Sequence, residues 1–350
     1  MARIRVLIVD DSALMRQMLS SILGSDPGIE VVGTAPDPLV AREKIKTLNP
    51  DVMTLDVEMP GMDGLAFLER VMSLRPMPVV MVSSLTGQGA AVTLRALELG
   101  AVDVFCKPAD AMAGGLNAYR AELIEKIKAA AMAKLRPPRD ASTRSSARLP
   151  VTQIYRSSDR LVAIGSSTGG VEALRDIIVA LPADAPPVVI AQHIPPRFSA
   201  SFAERLNGLS AVRVKEAVDA ERILAGHVYI APGDRHLRVR RSGAALVTHV
   251  QDGPLVTGHK PSVDALFHSV AQSCAAKAVG VILTGMGRDG ADGLLAMREA
   301  GADTLGEDES SCVVYGMPKA AREVGATQRE LPLSRIAEEI LRLCRAQGDD

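Results

Sequence analysis

Twice along this chain, short aliphatic runs alternate with segments whose apolar residues recur every three or four positions. The two stretches are separated by a segment with neither pattern. In the first, Val6-Leu7-Ile8-Val9 reads as a strand buried on both faces, and Leu14, Met15, Met18, Leu19, Ile22 and Leu23 follow at helical spacing. Strand-like runs recur at 31–32, 52–55, 79–82 and 102–105, with helical patterns at 39–48, 65–74, 92–99 and 116–127. Such alternation predicts a parallel sheet with helices on both faces, here a complete doubly wound α/β domain. Residues 134–160 carry Pro137-Pro138, Ser142-Thr143 and Ser145-Ser146, with seven Lys or Arg against two Asp, and are expected to form a basic, flexible linker. A second α/β pattern follows. It has strands at 161–164, 188–191 and 279–283, and a helix marked by Leu174, Ile177, Ile178 and Leu181 that is stopped by Pro182. Residues 212–250 read as short strands separated by Gly226, Gly233 and Gly243, a hairpin-rich insertion, and two terminal helices are expected at 319–324 and 336–343.

With 350 residues, 47% of them hydrophobic, the chain can bury two domain cores, and with five Phe, four Tyr and no Trp those cores must be aliphatic. Lys and Arg (40) nearly balance Asp and Glu (41), which argues against a protein built to hold nucleic acid or an anionic membrane. No apolar run approaches the roughly 18 residues that span a bilayer. The opening apolar run ends in Asp10-Asp11, so it is not read as a signal peptide. Cys106, Cys274, Cys312 and Cys344 are scattered, the usage expected of a reduced, cytoplasmic protein without a disulfide frame or zinc site.

In open α/β sheets ligands bind outside the carboxyl ends of the strands. Asp10 and Asp11 stand at the end of the first predicted strand, Asp56 at the third, Ser83 at the fourth and Lys107-Pro108 at the fifth. Three carboxylates brought together need a cation, and oxygen-only ligands suit Mg²⁺. A carboxylate beside such a metal can become an aspartyl phosphate, with Ser83 and Lys107 binding the phosphoryl oxygens. The plainer alternative, that Asp11-Ser12 only cap the first helix, leaves Asp10, Asp56 and Lys107 unexplained. Glu58 and Asp63 are weaker candidates, in what reads as a loop and helix cap.

The second domain opens with Gly165-Ser166-Ser167-Thr168-Gly169-Gly170 between a buried strand and a helix. Ser167 is the centre of a G-x-S-x-G pattern, which exposes a nucleophilic hydroxyl on a sharp turn. A phosphate-binding turn is the competing reading. A dinucleotide fingerprint, however, needs glycine at Ser167 and an acid about 20 residues on, where this chain has Gln192-His193. His193, ending the next strand, is the expected general base. The glycine-rich turn Thr284-Gly285-Met286-Gly287-Arg288-Asp289-Gly290 supplies the orienting carboxylate, with Asp289 preferred to Asp292, and backbone amides for an oxyanion. Ser166, on the strand side of the turn, is the rival nucleophile. His227, His236, His249, His259 and His268 occupy less telling contexts.

The first set of residues, with the run Asp56-Val57-Glu58-Met59-Pro60-Gly61-Met62-Asp63-Gly64, resembles a two-component response-regulator receiver domain, a flavodoxin-like fold, over roughly residues 1–125. The resemblance implies phosphorylation of Asp56 by a chemotaxis histidine kinase, with Mg²⁺ held by Asp10, Asp11 and Asp56. Receivers often carry an aromatic switch three positions before the lysine; here that position is Val104, beside Phe105. Gly165–Gly170, Gln192-His193-Ile194-Pro195-Pro196 and the 284–290 turn resemble the chemotaxis protein-glutamate methylesterases, which are also glutamine deamidases. So do Tyr229-Ile230-Ala231-Pro232-Gly233-Asp234, Pro261-Ser262-Val263-Asp264 and Gly316-Met317-Pro318.

That family's pattern makes Ser167 the nucleophile, His193 the base and Asp289 the orienter, with the Met286 amide near the oxyanion and no cofactor in the catalytic domain. It implies methyl-accepting chemotaxis receptors as substrate, methanol as product and no nucleic-acid partner. The expected domains are a receiver at 1–125, a helix end and basic linker at 126–156, and an α/β methylesterase domain with a mainly parallel sheet at 157–350. A transcription factor is the rival from another class. Residues 161–350 carry 20 Lys and Arg against 23 Asp and Glu, whereas a basic face is needed to neutralise phosphates.

Overall fold

The computed structural model describes residues 2–59, 64–83, 87–107, 116–135, 159–196 and 198–345. The expected linker therefore lies largely outside the described residues, as do Asp63 and Pro108. The chain divides into two compact units, Met1–Asp140 and Ala141–Asp350.

The first unit has strands β1 (Ile4–Val9), β2 (Ile29–Ala35), β3 (Val52–Asp56), β4 (Val79–Ser83) and β5 (Asp103–Cys106). They alternate with helices α1 (Ala13–Gly24), α2 (Pro38–Leu48), α3 (Gly64–Leu74), α4 (Gly87–Glu98) and α5 (Leu116–Ala131). The sheet order is β2-β1-β3-β4-β5 with every pairing parallel. This is the doubly wound order expected, and it reverses between β1 and β3, where a crevice opens at the strand ends. The strands are buried on both faces, which is why they read as continuous aliphatic runs rather than alternating ones. Local signals set the helix starts. The Ser12 hydroxyl accepts from Met15 N, and Asp37, followed by Pro38 at the first helical position, accepts from Val40 N. Ser12 alone caps α1, so Asp11 is left available to the crevice.

The second unit runs β6 (Leu161–Ser166), α6 (Gly170–Val179), β7 (Val188–Gln192), α7 (Phe198–Leu209), β8 (Arg213–Glu216), β9 (His227–Ile230), β10 (His236–Ser242), β11 (Ala245–Gln251) and α8 (Val263–Cys274). It continues with β12 (Ala278–Ile282), α9 (Ala291–Glu299), β13 (Asp303–Glu307), α10 (Met317–Glu323), β14 (Arg329–Leu331) and α11 (Leu333–Cys344). Seven strands form one sheet in the order β14-β13-β12-β6-β7-β9-β8, all parallel. The expected hairpin-rich insertion is mostly something else. β8 and β9 pair in parallel at the sheet edge, because residues 217–226 carry the chain back before the second strand starts. Only β10 and β11 form a hairpin, laid against α8 through the Ser269 hydroxyl, which accepts from Val239 N at 2.9 Å.

The amino end of α8 is pressed onto the carboxyl end of β6. A Cβ added at Gly165 would stand 2.1 Å from Val263 Cγ1, and one at Gly290, whose φ is 94°, would stand 2.4 Å from the same atom. Gly165 and Gly290 thus let Val263 wedge between the end of β6 and the start of α9. Gly165→Ala is expected to push α8 off the sheet and destabilise the second unit by about 1–3 kcal/mol, the usual cost of overpacking. Urea unfolding followed by circular dichroism checks this, and an unchanged midpoint would contradict the wedge.

Candidate active site

The carboxyl ends of three adjacent strands, β12, β6 and β7, deliver one side chain each. Past β6 the chain turns sharply into α6. Gly169 takes a left-handed φ of 79° and Gly170 N donates to Ser167 O at 2.7 Å. A side chain at Gly170 would strike Gln192 Oε1 at 2.2 Å, so the tightness of the turn requires glycine there. Ser167 N donates to Thr284 O at 3.0 Å, tying the turn to the end of β12. Ser166 is fully buried, and its hydroxyl donates to Gln192 Oε1 at 2.6 Å. The other end of that amide donates to the carbonyls of Ser167 and His193, both at 3.0 Å. Ser166 is therefore a strut inside the turn, and the half-buried Ser167 is the accessible member of the pair.

Ser167 Oγ lies 3.1 Å from His193 Nδ1, and His193 Nε2 lies 2.8 Å from Asp289 Oδ2. Asp289 is buried and takes three further donors. The Ser262 hydroxyl, just ahead of α8, donates at 2.8 Å, and from the first turn of α8 Val263 N donates at 2.8 Å and Asp264 N at 3.0 Å. Burial alone would push this carboxyl above the ordinary carboxylate range. The His193 hydrogen bond and charge, with the Asp264 and Val263 amides, overcome that and hold it below the ordinary carboxylate range. An ionised Asp289 accepts, so the proton of a neutral His193 sits on Nε2 and bare Nδ1 faces Ser167. This edge order is the reverse of the one common in serine hydrolases. The chemistry needs only one bare nitrogen at the hydroxyl and one protonated nitrogen at the acid.

Asp292 points elsewhere, into an exposed ion pair with Arg288 at 2.9 Å. The half-buried Met286 belongs to a turn anchored on both sides. Gly285 N donates to Val314 O, and Gly285 O accepts from Gly316 N and Met317 N, with Gly287 left-handed at 83°. The fully buried Glu307 accepts from Thr284 N at 2.9 Å, fixing where the turn begins. Gln192, Ser262 and Glu307 carry no reactive pattern in the sequence. His259, also unmarked, lies with its ring stacked on that of His193.

In the first unit, one carboxylate oxygen from each of Asp10, Asp11 and Asp56 lies within 4.8 Å of the others. Lys107 Nζ is 2.7 Å from Asp56 Oδ2 and 3.1 Å from Asp10 Oδ2, and the buried Ser83 hydroxyl accepts from Thr93 Oγ1 at 2.9 Å. Asp10 Oδ1 accepts from Ser12 N, while the buried Asp10 Oδ2 has the Lys107 ammonium beside it. Burial, with the charge of Asp10 beside it, pushes the Asp56 carboxyl up to about 6 despite the Lys107 contact. Two buried acids sharing one lysine, with the exposed Asp11 beside them, are an oxygen donor set that fits a hard divalent cation. Glu58 is exposed, and its backbone N–H donates to Asp56 Oδ1 at 3.2 Å. Val104 is buried in β5, and the neighbouring Phe105 ring lies 4.4 Å from that of Tyr119.

Two family models match the chain: a response regulator receiver domain over residues 6–113 and CheB methylesterase over residues 162–340. The chain is 58% identical over 347 residues, 97% of each chain, to a protein-glutamate methylesterase/protein-glutamine glutaminase of Xanthomonas oryzae pv. oryzae. It is 55% identical over 342 residues, again 97% of each, to the Escherichia coli protein of the same description. Among solved structures, the catalytic domain of Thermotoga maritima CheB methylesterase is 40% identical, with a TM-score of 0.52 over 53% of this chain and 99% of its own.

The acid pocket has a titration signature. A folded-state value near 6 against an ordinary 3.8 means the native unit holds this proton more tightly than the unfolded chain. The resulting stability is present below about 3.8 and is lost as pH rises through about 6. A carbon-13 NMR titration of Asp56 without divalent cations is expected to show a midpoint near 6. Excess Mg²⁺ should move that midpoint down into or below the ordinary carboxylate range and raise stability at neutral pH. A midpoint unmoved by Mg²⁺ would contradict a cation site here.

Proposed function

The chain belongs to the CheB methylesterase family, with a response regulator receiver domain ahead of its catalytic domain, and on that premise we propose that it is a phosphorylation-activated protein-glutamate methylesterase and protein-glutamine glutaminase. Its substrates are glutamate methyl esters and certain glutamines on the cytoplasmic parts of chemotaxis receptors, and a chemotaxis histidine kinase supplies the phosphoryl group. The observation that carries this reading is the hydrogen-bonded series Ser167–His193–Asp289 at 3.1 and 2.8 Å.

Each residue has a distinct task in the reaction. Ser167 Oγ attacks the ester carbonyl while His193 Nδ1 takes its proton, and the imidazolium that results is balanced by Asp289 across Nε2. Backbone N–H groups of the Met286 turn face the oxyanion, where one donor is worth on the order of 10²–10³ in rate. The carbon–oxygen bond to methoxide then breaks, His193 returns the proton, and methanol leaves an acyl-serine. Water activated by the same Nδ1 releases glutamate and restores Ser167. With glutamine the leaving group is ammonia and the remaining steps are the same.

In the receiver, Asp10, Asp11 and Asp56 would hold Mg²⁺, which when bound neutralises charge on the incoming phosphoryl group. Asp56 takes that group as an acyl phosphate, and Ser83 and Lys107 bind its oxygens. The added charge favours a second receiver conformation, and a tenfold rise in esterase rate needs only about 1.4 kcal/mol of difference between states. That no described helix is long and apolar enough to cross a membrane fits an enzyme that works in the cytoplasm.

Methanol release from methylated receptor membranes tests the proposal. Ser167→Ala is expected to lose essentially all activity, His193→Ala nearly as much, and Asp289→Asn less, because an imidazole without its orienter keeps some base function. A small phosphodonor with Mg²⁺ should speed the full chain and leave Asp56→Asn unaffected. More than a tenth of the activity surviving in Ser167→Ala, or a response to the donor in Asp56→Asn, would overturn it.

A further inference from the structure

Two in-plane hydrogen bonds hold the edges of the His193 ring, but neither resists tilting of the ring out of its plane. One face is covered by His259, whose ring lies parallel within 13° at a centroid distance of 3.8 Å. The segment that carries His259 is held at several points. His236 is buried and closes the base of the loop, with Nε2–H donating to Pro254 O at 2.9 Å and Nδ1 accepting from Ser262 N at 3.3 Å. Asp252 and Lys260 pair across it at 2.6 Å.

At its tip, Val256 and His259 exchange both backbone hydrogen bonds around Thr257 and Gly258, which are left-handed at 50° and 82°. A β-branched residue is strained in that region and persists there only when its surroundings impose it. Here the Thr257 hydroxyl donates to Asp264 Oδ2 at 2.8 Å, and the buried Asp264 also accepts from Gly293 N at 2.7 Å. Asp264 N in turn donates to Asp289. The first turn of α8 therefore sets both the acid at the edge of His193 and the tip that covers its face.

We propose that His259 is a positioning residue for His193: its ring fixes the tilt of the catalytic imidazole and lies against the positive charge that His193 acquires in the transition state. An aromatic face close to a developing cation stabilises it, so the effect falls on the chemical step rather than on substrate binding. This rests on Ser167 and His193 working as nucleophile and base.

The test uses the full chain and an alkyl fluorophosphonate, which reads the Ser167–His193 pair without any receptor substrate. His259→Ala is expected to slow Ser167 labelling roughly tenfold without changing the melting temperature. His259→Phe, which keeps an aromatic face, should recover most of the rate. Methyl-ester turnover should show the same order in kcat, with KM moving less than about twofold. Wild-type labelling by His259→Ala would overturn the inference, and so would a His259→Phe variant as slow as His259→Ala. Labelling that survives Ser167→Ala would instead overturn the nucleophile on which the inference rests.

Discussion

The carboxylate of Asp289 sits on the amino end of a buried helix, and the geometry of the catalytic unit follows from that contact. A buried carboxylate is costly unless its lone pairs are filled. Here the Ser262 hydroxyl and two amides of α8 fill three sites, and His193 takes the fourth. The free amides of a helix start carry partial positive charge, so the acid stays ionised and its direction is fixed. That direction decides which nitrogen of His193 carries the proton, and hence which one meets Ser167. Packing enforces the arrangement, because Val263 is wedged against Gly165 and Gly290 with no space for a Cβ at either glycine.

The receiver treats a buried carboxylate in the opposite way. Asp56 also closes a strand of a parallel sheet, yet it is offered Lys107, one amide and two neighbouring acids rather than a helix start. Desolvation and Asp10 therefore hold Asp56 above the ordinary carboxylate range, where Asp289 is held below it. A carboxylate left short of donors is one that gains from a nearby cation. The same edge of the same kind of sheet thus holds an ionised, directionally fixed carboxylate in one unit and a proton-retaining one in the other, according to what surrounds each.

Ser167, His193 and Asp289 were legible in the sequence because each follows an aliphatic strand, and in a parallel sheet those strand ends converge. β6, β7 and β12 announce themselves as continuous apolar runs. β13 and β14 do not, since Asp-Thr-Leu-Gly-Glu and Arg-Glu-Leu are short and polar, and with β13 went Glu307, the residue that fixes the Thr284 turn. Helices α7, α8 and α9 were not anticipated either. α8 is buried over most of its surface, so it lacks a clean polar stripe. Ser262 could have been found, since serine ahead of Val263-Asp264 is a helix-start signal. His259 could not: its place over His193 depends on two successive left-handed residues and a hydroxyl-to-carboxylate tether, none of which leaves a periodic trace.

Nitrogen-15 NMR of the imidazole side chains, with His193 assigned by substitution, tests the central claim most directly. At a pH where His193 is neutral, ionised Asp289 on the helix start requires the tautomer with the proton on Nε2 and a bare Nδ1 toward Ser167. The account predicts that tautomer as the dominant form. A dominant form with the proton on Nδ1 and a bare Nε2 would contradict it.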